Sequence, residues 1–160
     1  MNILICPGSA EDQKFKRWPI QNFIELIIKL KSKNYNVQVV LGPEEEYLLK
    51  NFSKFKVINS ATFEELKKIS NQNDLIVCND SFLMHFFCML ERKVLALYGP
   101  TISSRTLPPN AYKIEDRGSI NKKPCWGNKN YGKCDNGRCS CFDNLDVNKV
   151  FNECLRLLFL

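Results

Sequence analysis

The sequence lacks any apolar run long enough to cross a membrane. Its longest uninterrupted apolar runs are about five residues, whereas a spanning helix needs 18 or more. The first eight residues, MNILICPG, are mostly apolar, but they are too short for a signal peptide and carry no basic n-region. We therefore expect a cytoplasmic protein whose only membrane contact would be peripheral.

The composition also lacks the biases of non-globular proteins. Hydrophobic residues make up 44% and charged residues 25% of the chain, values that are typical of a soluble globule. A disordered tail, a coiled coil and a collagen-like fibre are excluded. The 160 residues are about one domain's worth of chain. Since they contain no internal repeat and no linker, we expect residues 1–160 to form a single domain.

Apolar strands alternate with amphipathic helices along the chain. Strands are predicted at 2–6, 37–41, 56–58, 74–78 and 94–98, with a further candidate at 111–115. Helices are predicted at about 20–33, 44–52, 62–70, 82–91 and 146–158. Strands that are apolar on both faces and alternate with helices indicate an α/β fold with a doubly wound parallel sheet, Rossmann-like. Such a sheet binds ligands at the carboxyl ends of its strands.

Three segments at predicted strand ends are candidate ligand-binding loops. Residues 7–19 offer small residues, Ser9 and Lys16 for a phosphate, and residues 79–85 offer the free amides of a helix start together with His85, the only histidine. Residues 97–101 could close around the same ligand. Each segment has a structural alternative: a polar loop, a simple helix cap with a structural histidine, and a turn.

Taken in order, these segments resemble glycosyltransferase family 9, the heptosyltransferases of lipopolysaccharide core synthesis. The matching motifs are PGSAEDQKFKRWP, LGPEEE, NDSFLMHFF and ALYGPT. The resemblance covers essentially the whole chain, but only the carboxyl-terminal, donor-binding half of the family's two-domain GT-B fold. It implies the half that binds a nucleotide-diphosphate sugar, with no amino-terminal acceptor domain in this chain.

The resemblance also implies which residues contact the donor. Lys16 would bind the diphosphate, and the acid expected near the nucleoside matches best at Glu45, although Glu44 and Glu46 leave that register open. The implied donor-binding residues are Ser9, Lys16, Glu45, Asp80, Ser81, His85 and Thr101. One position departs from the pattern, because Phe82 stands where the family has glycine. The amide of Phe82 remains available to an anion, but its phenyl group occupies space expected for the sugar or phosphate.

The chemistry implied by the resemblance is inverting, metal-independent sugar transfer without a cofactor. The donor would be ADP- or UDP-linked, and the general base would lie in an amino-terminal half, so that no residue here is assigned as catalytic. The chain alone would be inactive and would need such a half as its partner. The implied location is cytoplasmic, at the inner face of the bacterial cytoplasmic membrane, with contact to an anionic glycolipid.

The eight cysteines divide into two groups. Four lie in apolar stretches and are predicted to be core residues, namely Cys6, Cys78, Cys88 and Cys154. The other four are packed into a basic segment at about 117–145 and are Cys125, Cys134, Cys139 and Cys141. Their spacing is compatible with zinc, disulfides or free thiols. The alternative function is thus a non-catalytic interaction module with a zinc-stabilised basic loop, and a third is another nucleotide-sugar enzyme, such as an epimerase half.

The positive charge of this segment points to an anionic partner. Residues 102–141 contain eight basic and three acidic residues, so this quarter carries most of the net charge of +6. A solvated lysine-rich loop would explain the same excess. No aromatic ladder interleaves the basic residues, and we therefore expect no nucleic-acid binding.

Overall fold

The computed structural model describes residues 1–59, 61–115 and 140–160. Within them, six parallel strands form one sheet of order β3-β2-β1-β4-β5-β6. The strands are β1 (Asn2–Cys6), β2 (Asn36–Leu41), β3 (Lys56–Asn59), β4 (Leu75–Asn79), β5 (Val94–Tyr98) and β6 (Tyr112–Glu115). The expected doubly wound α/β fold is confirmed, including the candidate strand at 111–115.

Helices connect the strands on both sides of the sheet. They are α1 (Ile20–Ser32), α2 (Leu49–Phe52), α3 (Phe63–Ser70), α4 (Phe82–Met89), α5 (Ser103–Thr106) and α6 (Val147–Leu158). Among the described residues, 3-10 segments supplement them at Glu11–Lys16, Pro43–Leu48 and Ser140–Phe142. The predicted helix at 44–52 is therefore a 3-10 segment continued by α2, and the polar loop after β1 contains a helical segment that periodicity did not predict. In the described residues, no helix is both long and apolar enough to cross a membrane.

The four central strands, β2, β1, β4 and β5, bury both of their faces, as the continuous apolar runs predict, whereas the edge strands β3 and β6 are only partly buried. On β1, Ile3 and Ile5 pack in a cluster with residues of α1 and α6. Leu4 and Cys6 point the other way, into a cluster with residues of α3 and α4. This alternation follows from the two-residue period of a strand. The prediction of buried core cysteines is confirmed, since all four of that group are at most 5% exposed: Cys6, Cys78, Cys88 and Cys154.

Most of the basic, cysteine-rich segment at 117–145 lies outside the described residues, and so do Cys125, Cys134 and Cys139. Cys141 is half-buried in the 3-10 segment Ser140–Phe142. The described part of the chain contains no group of three metal-ligating side chains. After this segment, Asp146 accepts a hydrogen bond from the backbone N–H of Lys149 (2.9 Å) and caps α6.

Candidate functional site

Two adjoining cavities open at the carboxyl edge of the sheet. They form there because β2, β1 and β4 are neighbours, which brings together the loops that follow them. One cavity, of about 510 Å³, is apolar, and the other, of about 420 Å³, is polar. Four residues line both of them: Ala10, Glu44, Ser81 and Phe82. Their combined shape suits an elongated ligand with one apolar and one charged end.

The polar cavity holds a partly buried ion pair between Lys16 and Asp80. Lys16 Nζ lies 3.3 Å from Asp80 Oδ2, and the two side chains are only 14% and 5% exposed. Asp80 Oδ2 is buried and accepts no hydrogen bond. His85 lines the same cavity and is exposed. A partly buried ammonium ion and a histidine therefore face one concave surface, where an anion could join them.

The start of α4 borders the polar cavity without a side-chain cap. Ser81 occupies the N-cap position, but its side chain makes no capping hydrogen bond. Its Oγ is buried and has no hydrogen-bond partner. The first-turn amides of a helix carry partial positive charge and attract anions when no side chain caps them. Of the two sequence-based interpretations of residues 79–85, simple capping by Ser81 is therefore not what the structure shows.

The apolar cavity lies between the end of β2 and the starts of α3 and α4. Its walls include Val40, Leu41, Phe63, Leu66 and Phe82. Ser9 and Glu45 belong to the same lining. This cavity is within the range of small-molecule sites and could take a flat apolar group.

Arg17 locks the loop that follows β1. Its Nε donates to Ser9 Oγ at 3.0 Å, and its Nη2 donates to the Ser9 carbonyl at 2.6 Å. Nη1 also donates to the hydroxyl of Tyr47. The Ser9 hydroxyl in turn donates to the Gln13 carbonyl at 3.0 Å. The Ser9 hydroxyl and carbonyl are therefore engaged by Arg17 and Gln13, and the phosphate contact of Ser9 stays a prediction.

Glu45 joins the loop after β1 to the loop after β2. Its Oε2 accepts from the Gly42 N–H at 2.9 Å, and its carboxyl packs so closely on Gly8 that a Cβ there would lie 1.5 Å from Oε1. Gly8 is small because this carboxyl needs the space. Burial raises the pKa of Glu45, while the hydrogen bond from Gly42 and the charge of Arg17 oppose the rise. Glu44 also lines both cavities but is exposed, as is Glu46, so Glu45 is the one of the three that is buried.

Asn79, at the end of β4, fastens the same loop from the other side. This fully buried side chain accepts from the Trp18 N–H at 3.0 Å and donates to the Pro7 carbonyl at 2.8 Å. Trp18 Nε1 donates to the Leu145 carbonyl at 2.8 Å. The loop is thus held rigidly beside the start of α4, which positions Lys16.

Six of the seven predicted donor-binding residues line these cavities. Thr101 is fully buried and lines neither of them. Sequence reasoning did not single out Arg17, Asn79 or Phe63. A polar asparagine closing an otherwise apolar strand was the available signal for Asn79. Neither Arg17 nor Phe63 had one, because a charged residue in a polar loop and an apolar residue at a helix start are ordinary in sequence.

Comparison with known proteins places this site in a family. The family model described as glycosyltransferase family 9 (heptosyltransferase) matches residues 1–134. Lipopolysaccharide heptosyltransferase 2 of Salmonella typhimurium is 32% identical over 120 residues, which cover 68% of this chain and 33% of that protein. The chain thus spans about a third of the length of the curated relatives that it matches.

Solved structures share the fold. Escherichia coli ADP-heptose LPS heptosyltransferase II has a TM-score of 0.78 at 22% identity, over 99% of this chain and 46% of that chain. Escherichia coli heptosyltransferase WaaC with ADP has a TM-score of 0.71 at 18% identity, over 98% and 44%. The expected half of a GT-B fold is confirmed by these matches. Because the family model covers most of the sequence, the chain belongs to glycosyltransferase family 9, the heptosyltransferase family.

Proposed function

We propose that the two adjoining cavities bind a nucleotide-diphosphate sugar, and that the chain is the donor-binding half of an inverting, metal-independent glycosyltransferase. The observation that carries the proposal is the position of Lys16 and the uncapped start of α4 in a polar cavity that continues into an apolar one. The diphosphate lies in the polar cavity, and the nucleoside lies in the apolar one. Relatives of the same fold have been solved with ADP and with ADP-2-deoxy-2-fluoro heptose, which supports this ligand class.

The residues of this chain act on the leaving group. As the bond between the sugar and the diphosphate breaks, negative charge develops on the phosphate oxygens. The Lys16 ammonium and the first-turn amides of α4 stabilise that charge from fixed positions, which lowers the barrier without reorganisation. Ser81 lines both cavities, and a rotation about χ1 would let its hydroxyl donate to a phosphate oxygen. His85 faces the same oxygens.

The acceptor and the general base belong to a facing domain. A glycosyltransferase of this architecture brings donor and acceptor together across a cleft, and this chain forms one wall of it. The isolated 160 residues should therefore transfer no sugar from an ADP- or UDP-linked donor, and an added amino-terminal half should restore turnover. Sugar transfer by the isolated chain would contradict the placement of the acceptor and the general base in a separate domain.

Calorimetric titration with ADP and UDP tests the donor site. Lys16→Ala should weaken nucleotide binding by about 1.5–3 kcal/mol, the range for hydrogen bonds to charged groups, which is roughly a ten- to hundredfold change in Kd. Lys14→Ala is the matched control, because Lys14 lies in the same 3-10 segment but does not line the polar cavity. No binding heat with either nucleotide at millimolar concentration would overturn the proposal.

A further inference from the structure

Helix α4 contains no Asp, Glu, Lys or Arg, unlike the other long helices that the structure describes. Its eight residues are FLMHFFCM, whereas α1, α3 and α6 each carry both acidic and basic residues. The inner side of α4 is buried in the core through Met84, Phe87 and Cys88. A helix that is apolar all round is normally covered on every side, but the outward side of α4 is not covered by the described part of this chain.

The outward side of α4 forms one apolar surface with the start of α3. Phe82, Phe86 and Met89 follow one another at positions i, i+4 and i+7, which places them on one face of the helix. Phe82 is 60% and Met89 is 82% exposed, and Phe63, the first residue of α3, is 63% exposed. The ring of Phe63 lies 5.9 Å from that of Phe82 and 5.6 Å from that of Phe86, measured between centroids. We call these four residues the α4 stripe.

The α4 stripe is large enough to be the core of a protein interface. At about 200 Å² for an aromatic side chain, the exposed parts of Phe63 and Phe82 alone amount to roughly 250 Å². Met89 and the half-buried Phe86 bring the stripe to the roughly 300–600 Å² at which an apolar patch is often functional. A stable interface buries about 800 Å² on each partner, of which an apolar core is one part and a polar rim the other.

The charges around the α4 stripe favour a second copy of the chain as the partner. Glu64 and Lys67 lie one and four residues after Phe63 on α3, and Glu91 and Arg92 follow α4. Within the described ranges, none of these four forms an ion pair. Two acids and two bases give no net charge, whereas an anionic membrane attracts a surface with an excess of bases. A twofold axis places the same surface against itself, so acids of one copy can pair with bases of the other.

The length of the α4 stripe argues against the facing domain of a glycosyltransferase as its cover. Helix α4 begins beside the two cavities, and Met89 lies about 10 Å further along the helix axis than Phe82. Phe82 lines both cavities, but Met89 lines neither. A domain that faces the cavities therefore covers the Phe82 end of the stripe and leaves Met89 in water.

We propose that two copies of this chain form a twofold dimer in which their α4 stripes pack on each other. The inference does not depend on the proposed function. Because each residue of such a contact is used twice, the four residues of the stripe supply eight apolar side chains. Their burial removes from water the exposed apolar surface that α4 and the start of α3 otherwise leave there.

Sedimentation velocity over micromolar to submillimolar protein concentrations tests the proposal. Wild-type protein should shift from monomer to dimer. Met89→Lys should raise the dimer Kd about tenfold or more, because an unpaired charge is costly to bury, while a base at the carboxyl end of α4 suits the helix dipole. Phe63→Glu is a second variant with the same expected effect, since an acid suits the first turn of α3. Ile28→Lys is the matched control, because Ile28 is 56% exposed on α1, which packs on the opposite face of the sheet.

The other outcomes overturn the proposal. A wild type that stays monomeric has no such dimer, and a dimer that only Ile28→Lys weakens uses another surface. If the wild type is monomeric but sediments with vesicles of phosphatidylglycerol and phosphatidylethanolamine, and Met89→Lys does not, a lipid surface covers the stripe instead of a second copy. Thermal unfolding of each variant identifies lost folding, and Phe63→Glu decides the question if Met89→Lys unfolds.

Discussion

The loop after β1 and the start of α4 face each other across the site, but they use their polar groups in opposite ways. In the loop, the Ser9 hydroxyl and the Arg17 guanidinium are engaged in protein hydrogen bonds, and the Asn79 amide at the end of β4 binds the same loop. At the start of α4, Ser81 Oγ is buried without a hydrogen-bond partner, and Asp80 Oδ2 forms an ion pair with Lys16. Ser9 and Arg17 thus bond within the protein, whereas the Ser81 hydroxyl does not.

This difference separates the polar groups that hold the loop in place from those that are free to contact a ligand. A buried hydroxyl without a hydrogen bond costs free energy, and under the proposed function the Ser81 hydroxyl recovers it by donating to a phosphate. Folding stability should therefore depend on Arg17 within the loop, and ligand binding should depend on Lys16 and Ser81.

Arg17→Ala tests whether the loop after β1 stabilises the fold, and it has the largest expected effect on the free energy of unfolding. The Arg17 side chain is 8% exposed and donates to both the hydroxyl and the carbonyl of Ser9. Since hydrogen bonds to charged groups contribute about 1.5–3 kcal/mol, we expect the free energy of unfolding in urea to fall by about 2 kcal/mol.

Lys14→Ala is the control for that experiment. Lys14 contacts the same Glu11 and Tyr47 as Arg17 does, but it is 55% exposed. Exposed ion pairs contribute little, so the loss should be below about 0.5 kcal/mol. Equal losses for the two variants would show that the buried contacts of Arg17 do not hold the loop.

The hydroxyls of Thr62 and Ser81, each at the start of a helix, extend the comparison, and their removal should change stability less than Arg17→Ala does. Thr62 caps α3 by accepting from the Glu65 N–H, and Thr62→Ala should lower stability by about 1 kcal/mol. Ser81→Ala removes a buried hydroxyl that has no partner, and should leave stability unchanged or raise it by up to about 1 kcal/mol. The same Ser81→Ala variant should bind ADP several-fold more weakly. Urea unfolding measures the stability of both variants, and calorimetry measures ADP binding. If Ser81→Ala loses as much stability as Thr62→Ala, Ser81 serves the fold and not ligand binding.

The pH dependence of stability gives the smallest expected effect. Burial raises the pKa of Glu45 above its ordinary value of 4.5, so the folded protein keeps this proton to a higher pH than the unfolded chain does. Stability therefore falls as the pH rises from 4.5 through the raised pKa of Glu45. Glu45→Gln should remove this fall, and its stability relative to wild type should improve across that window.

Glu46→Gln is the control, because it removes one negative charge from an exposed neighbouring position. Urea unfolding at a series of pH values measures both variants. If Glu45→Gln and wild type show parallel curves, burial of the Glu45 carboxyl does not govern this part of the pH profile.

The elements of the fold were predictable from local pattern. The run Leu75–Asn79 is apolar up to its last residue and is buried throughout, and the amphipathic spacing from Ile20 onward forms α1. The limits of prediction appear where backbone geometry depends on neighbours. Residues 11–16 have no clear apolar period, yet they form a 3-10 segment. The loop that contains it is fastened by Arg17 and Asn79.

By itself, the sequence determined the alternation of strands and helices, the strand ends that border the two cavities, and the family motifs with Lys16 and Asp80. These are properties of short segments, and periodicity or spacing expresses them directly. The tertiary structure decided which polar groups form hydrogen bonds within the protein and which remain free to contact a ligand. Asn79 meets Trp18 and Pro7 across 61 and 72 residues, and Arg17 meets Tyr47 across 30. Those contacts exist only once β1, β2 and β4 lie side by side, because the partners of a buried polar group are set by the neighbours that folding brings to it.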